Sequence, residues 1–144
     1  MNKGARVNDS NKDLKILIVD NVESARKAVM RHLSKLGYSN FTEAENGQEA
    51  ISMLEAMPFD LIISDFEMPS MDGIKLMREI RQREELKDIP FVLIATTATK
   101  QEVFKAFKSG ISSYILKPFS AKILQETIER LVNKSETKPI SAKL

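Results

Sequence analysis

Apolar residues fall into short runs separated by amphipathic stretches. Lys15 to Asp20 (KILIVD), Asp60 to Asp65 (DLIISD), Phe91 to Thr96 (FVLIAT) and Ser113 to Lys117 (SYILK) are brief and mostly apolar at both odd and even positions. A strand buried on both faces has this pattern. Phe41 to Ala44 (FTEA) is more polar and reads as a strand nearer an edge. Between these runs the spacing changes. Val22, Ala25, Val29, Leu33 and Leu36 recur at helical intervals, and Gly37 follows as a stop. Asn46-Gly47 precedes a second helical stretch, Glu49 to Met57, that Pro58 ends; Asp72-Gly73 precedes a third with Ile74, Met77 and Ile80. Phe104 and Phe107 share a face ahead of Gly110, and Leu124, Ile128 and Leu131 share one after Ser120, a suitable N-cap. Five strand–helix repeats predict an α/β fold, with a parallel sheet covered on both faces by right-handed crossovers.

Composition narrows the function. The 144 residues suit one domain, and 42% hydrophobic with 29% charged residues is too apolar for a disordered chain. The polar ends, 1–13 and 134–144, carry no apolar period and read as flexible tails around a domain at 14–133. The chain has no Cys, which excludes a disulfide scaffold, a thiolate zinc site, an iron–sulfur cluster and a cysteine nucleophile. Runs such as Ile16 to Val19 are far shorter than the roughly 20 residues that span a bilayer. Met1 to Ser10 has no apolar core of a secretory signal. A net charge of +2, from 22 basic and 20 acidic residues, argues for neither nucleic acid nor membrane. A cytoplasmic location is the expectation.

In open parallel α/β sheets, ligands bind at the carboxyl ends of the strands. The first strand ends in Asp20 followed by Asn21, the third in Asp65 followed by Phe66-Glu67-Met68-Pro69, the fourth in Ala95-Thr96-Thr97 and the fifth in Lys117-Pro118. If the first and third strands are central neighbours, Asp20 and Asp65 meet on one rim. Two carboxylates about 4 Å apart repel by roughly 4 kcal/mol at an effective dielectric near 20. A divalent cation or a lysine relieves that repulsion, and Lys117 ends a strand on the same rim. Oxygen ligands plus a lysine, without His or Cys, suit magnesium with a phosphoryl group.

The segments ILIVDN, GYSNFTEAENGQEA, DLIISDFEMPSMDG and SSYILKPFSA, with their spacing, resemble the receiver domain of two-component response regulators over about residues 14–133. The resemblance is strongest to the single-domain, CheY-like chemotaxis type. It implies a flavodoxin-like, five-stranded parallel sheet in the order 2-1-3-4-5 with helices on both faces. It implies that Asp65 accepts a phosphoryl group from a sensor histidine kinase, with Lys117 as charge partner of the phosphoryl oxygens. It further implies Mg²⁺ held by Asp20, Asp65 and the Glu67 backbone carbonyl, a cis bond before Pro118, and Tyr114 as aromatic switch. A separate target protein is expected on the face of the fourth helix, fifth strand and fifth helix. No attached output domain is read from the sequence, and a monomer that is not a turnover enzyme is expected.

Two positions depart from the family pattern. Asn21 stands where a second acid is expected, so its hold on Mg²⁺ is weak. Ala95 stands where a switch Ser or Thr is expected, and Thr96 points to the opposite face of its strand. These departures keep an alternative open, a pseudo-receiver or phosphate sink that binds partners independently of phosphorylation. Without a hydroxyl at position 95, Tyr114 also reads as a plain rim aromatic. A small hydrolase or nucleotide-binding protein is disfavoured because no glycine-rich loop follows the first strand. His32 reads as a surface residue, and Met53, Met57 and Met77 as core filler.

Overall fold

The computed structural model describes residues 12–96 and 99–133. Thr97 and most of both expected tails, 1–11 and 134–144, lie outside the described residues. The strands are β1 (Ile16–Val19), β2 (Phe41–Ala44), β3 (Leu61–Asp65), β4 (Phe91–Ala95) and β5 (Ser113–Leu116). The helices alternating with them are α1 (Glu23–Lys35), α2 (Gly47–Ala56), α3 (Gly73–Arg81), α4 (Lys100–Ser109) and α5 (Ala121–Asn133). All strand pairs are parallel, in the order β2-β1-β3-β4-β5. Among the described residues no helix is long and apolar enough to cross a membrane.

Side chains on a strand alternate between faces, so each apolar run feeds two cores. Leu17 and Val19 join Ile62, Leu93 and the buried sides of α2 and α3. Ile16 and Ile18 join Ile63, Val92 and Ile94 against Val29 and Leu33 of α1 and Leu124 and Ile128 of α5. Residues of β1 are at most 1% exposed. The polar strand β2 is an edge, as its pattern implies, and β5 is the other edge. On β5, Ser113 and Ile115 are buried, Tyr114 is half-buried and Leu116 is exposed. Its apolar sequence hides that one-sidedness.

Side chains cap the starts of α2, α3 and α5, Ser120 as expected and Asn46 and Asp72 in addition. Asn46 Oδ1 accepts from Glu49 N, Asp72 Oδ1 from Lys75 N, both at 2.8 Å, and Ser120 Oγ accepts from Ile123 N. Three expectations about packing need correction, those for Val22, Met57 and His32. Val22 is the N-cap of α1, ahead of the first turn, and is exposed. Met57 follows the last turn of α2 and is also exposed, whereas Met77 is fully buried and Met53 packs against the core. Phe104 and Phe107 share a face of α4, as their spacing implies; that face turns outward, and Ala106 is the buried residue of the helix. His32 is half-buried rather than fully at the surface, with its ring 5.4 Å from that of Phe119.

Candidate functional site

The carboxyl ends of β1, β3 and β5 bring three charged residues together. Lys117 Nζ lies 3.0 Å from Asp65 Oδ1 and 3.9 Å from Asp20 Oδ2. Both carboxylate side chains are about nine-tenths buried, while the lysine side chain keeps 31% exposure. The ammonium therefore reaches in from a wetter edge to two acids in a drier cleft. The peptide bond between Lys117 and Pro118 is cis.

Asp20 is fixed at several points. Its N–H donates to Ala44 O, continuing the β1–β2 ladder past the strand end. Its Oδ1 accepts from Val22 N at 2.9 Å, an Asx turn that starts the chain into α1. Burial pushes the Asp20 carboxyl above its ordinary value near 3.8. The Val22 N–H opposes that, Asp65 adds to it, and Lys117 and Arg26 oppose it further. One lysine shared by two buried acids leaves the cluster short of positive charge.

Behind Asp65 the backbone is close-packed. Gly73, first residue of α3, donates its N–H to Phe66 O at 2.8 Å. A Cβ at that position would lie 2.5 Å from Asp65 O and from Leu93 Cδ1, so only glycine fits without displacing the strand end.

Asn21 and Glu67 are exposed and line a crevice with Phe66, Met68, Pro69 and Asp72, beside the buried acids. Among the described residues no three acidic or imidazole groups converge on one point as a metal cluster. The chain instead offers two carboxylates, the Asn21 amide and nearby main-chain carbonyls. These hard oxygen donors fit Mg²⁺, which keeps several of its own waters. Ala95 is 1% exposed at the end of β4, and Thr96 is exposed in the bend that follows. Their opposite placement is what strand alternation requires. Tyr114 is half-buried against the α2–α3 core, and burial raises its hydroxyl pKa, with Glu102 and Glu67 acting in the same direction.

The rim of paired acids and lysine on this strand order is matched by sequence. The response regulator receiver domain family matches residues 16–129. The chain belongs to that family. Receivers are components of two-component signal transduction. This receiver is 40% identical over 121 residues to the chemotaxis protein CheY-3 of Vibrio cholerae, covering 84% of this chain and 93% of the relative. Among solved structures it resembles Vibrio cholerae chemotaxis protein CheY4 (TM-score 0.77, 30% identity, 82% of this chain and 98% of that one). It also resembles the receiver domain of sensor histidine kinase PA1611 from Pseudomonas aeruginosa (TM-score 0.74, 27% identity, 82% and 96%). That structure is described with a magnesium ion coordinated in the active-site cleft.

One residue at this site escaped the sequence reading. Arg26 on α1 is 7% exposed and donates from Nη1 to Asp20 O at 2.7 Å. Its Nε donates to Glu43 Oε1 on β2 at 2.8 Å. The signal was present: position 26 keeps helical phase with Val29 and Leu33, and a cation on the buried side of a helix needs partners.

Proposed function

We propose that this receiver accepts a phosphoryl group on Asp65 from a phosphohistidine of a sensor histidine kinase. The observation that carries the reading is Lys117 Nζ at 3.0 Å from Asp65 Oδ1, in a cleft that also holds Asp20. A carboxylate oxygen of Asp65 attacks phosphorus and the phosphorus–nitrogen bond breaks. The electron pair of that bond returns to the imidazole, and an acyl phosphate forms on Asp65. Lys117 pairs with the phosphoryl oxygens as charge leaves the Asp65 carboxylate. Mg²⁺, when bound, neutralises phosphoryl charge. Asp20, Asp65, the Glu67 carbonyl and, more weakly, Asn21 would hold it; the magnesium of the PA1611 receiver supports that assignment. The protein works in the cytoplasm as a monomer, is not a turnover enzyme, and signals through a separate target protein. The face of α4, β5 and α5 supports the last point, because Phe104, Phe107, Leu116 and Ile123 are exposed there.

The test is intact mass after treatment with acetyl phosphate and Mg²⁺. One added phosphoryl group is expected, lost when Mg²⁺ is removed and absent in Asp65→Asn. Equal labelling of that variant overturns the assignment. A second reading, partner binding independent of phosphate, is favoured by Ala95, which is buried and has no hydroxyl to offer a phosphoryl group. It predicts the same target affinity for treated and untreated protein.

A further inference from the structure

We infer that Arg26 is a positioning residue for the Asp20–Asn21 pair, held in place by Glu43 from the edge strand β2. The inference rests on the proposed Mg²⁺ site and concerns how that site is kept in register.

A buried arginine is a costly way to fill space. Where packing alone is wanted, apolar residues of similar volume serve as well or better. Here the hydrogen bonds of the side chain point to the first strand's exit and its neighbour. The guanidinium donates to the main-chain oxygen of Asp20 at 2.7 Å and to Glu43 Oε1 at 2.8 Å. The other Glu43 oxygen accepts from Lys27 Nζ at 2.9 Å. Glu43 pairs in register with Ile18, two residues before Asp20. The planar fork thus ties the turn after β1 to the sheet beside it from two separate nitrogens, a geometry that a point-charge ammonium does not pre-organise.

The effect on Asp20 is specific. Its N–H is bonded to Ala44 O, its carbonyl to Arg26, and its Oδ1 to Val22 N. Three of its polar atoms are committed, and Oδ2 alone faces Lys117, at 3.9 Å. Release of the carbonyl frees the peptide between Asp20 and Asn21 to rotate, moving both prospective metal-binding side chains at once. Arg26 donates no hydrogen bond to either side chain's oxygens, so apart from its charge, which favours the Asp20 carboxylate, its influence runs through the backbone.

The experiment is calorimetric titration of Mg²⁺ into wild-type protein, Arg26→Met, Arg26→Lys and Glu43→Gln, with thermal unfolding of each and amide hydrogen exchange at Val22 without metal. Loss of an outer partner of a metal ligand typically weakens affinity by 10–100-fold. Arg26→Met is expected to bind Mg²⁺ about tenfold more weakly and to exchange the Val22 amide faster. Arg26→Lys and Glu43→Gln should fall between it and wild type. If Arg26→Met shows no cooperative unfolding, the two milder variants decide. Affinity within twofold of wild type in every folded variant overturns the inference and leaves Arg26 as a packing residue. Wild-type protein that takes no Mg²⁺ overturns the metal site itself, a distinguishable failure.

Discussion

Two carboxylate clusters stand on neighbouring strands and are treated in opposite ways. On β2, Glu43 has one oxygen on Arg26 at 2.8 Å and the other on Lys27 at 2.9 Å. Those hydrogen bonds hold its carboxyl below the ordinary value of 4.5. Past β1 and β3, Asp20 and Asp65 share the single Lys117 in a drier setting, and burial drives Asp20 the other way. The first cluster has more positive than negative charge and favours the fold. The second has more negative than positive charge and holds a carboxylate against its preference. The difference separates an ion pair that stabilises the fold from a charge deficit that a cation can fill.

Removing Lys117 should deepen that deficit most. Breaking a buried ion pair by deleting one partner costs about 3–5 kcal/mol. The partly exposed side chain of Lys117 argues for less, so Lys117→Met should lose about 2 kcal/mol at pH 8. Denaturant unfolding across pH checks this: the loss should shrink on acidification, as Asp20, whose carboxyl pKa burial raises, takes up its proton. A loss independent of pH would mean that packing, not charge, is responsible.

Asp20→Asn should move stability in the opposite direction. A carboxyl whose pKa is raised on folding adds stability below its unfolded value near 3.8, and that stability is lost as pH rises through the folded value. At pH 7 the ionised wild type therefore carries a penalty, and the variant should be the more stable protein. The advantage should vanish on acidification below 3.8. Saturating Mg²⁺ should also reduce it, because the ion stabilises wild type by mass action and binds the variant less.

The smallest effect belongs to the paired cluster. Glu43→Gln should lose about 0.5 kcal/mol at pH 7, the scale of a partly exposed ion pair. A depressed carboxyl pKa gives stability that is present above 4.5 and lost as pH falls through the folded value. This gap also closes in acid, but from the opposite side: here wild type is the more stable protein at pH 7. Thermal unfolding of both variants on one pH axis would show one curve above wild type and one below, converging in acid.

Much of this was legible along the chain. Runs apolar at both parities suit strands covered on both faces, and their alternation with helical stretches turned Ile16 to Val19 and Phe91 to Ala95 into strands of a parallel sheet. Strand ends alone were enough to put Asp20, Asp65 and Lys117 on one rim once that architecture was assumed. Other features depend on packing that periodicity does not encode. Phe104 and Phe107 advertise a shared face without saying whether it turns inward. Leu116 looks like core until β5 proves to be an edge. Arg26 carries its meaning only when Glu43, distant in sequence, comes to lie beside it.

Helix α4 buries only Ala106 and is held chiefly at its two tips. Thr99 and Glu102 form a reciprocal capping box at its start. At its end Gly110 adopts φ 113° and ψ 17°, and its carbonyl oxygen accepts from Nε and Nη2 of Arg81 at 3.0 and 2.8 Å. A segment secured by its caps rather than by its flank opens and recloses without disturbing the core, at a free energy well below that of global unfolding. In kinetic terms, the face carrying Phe104 and Phe107 can rearrange many times within the lifetime of a single folded molecule.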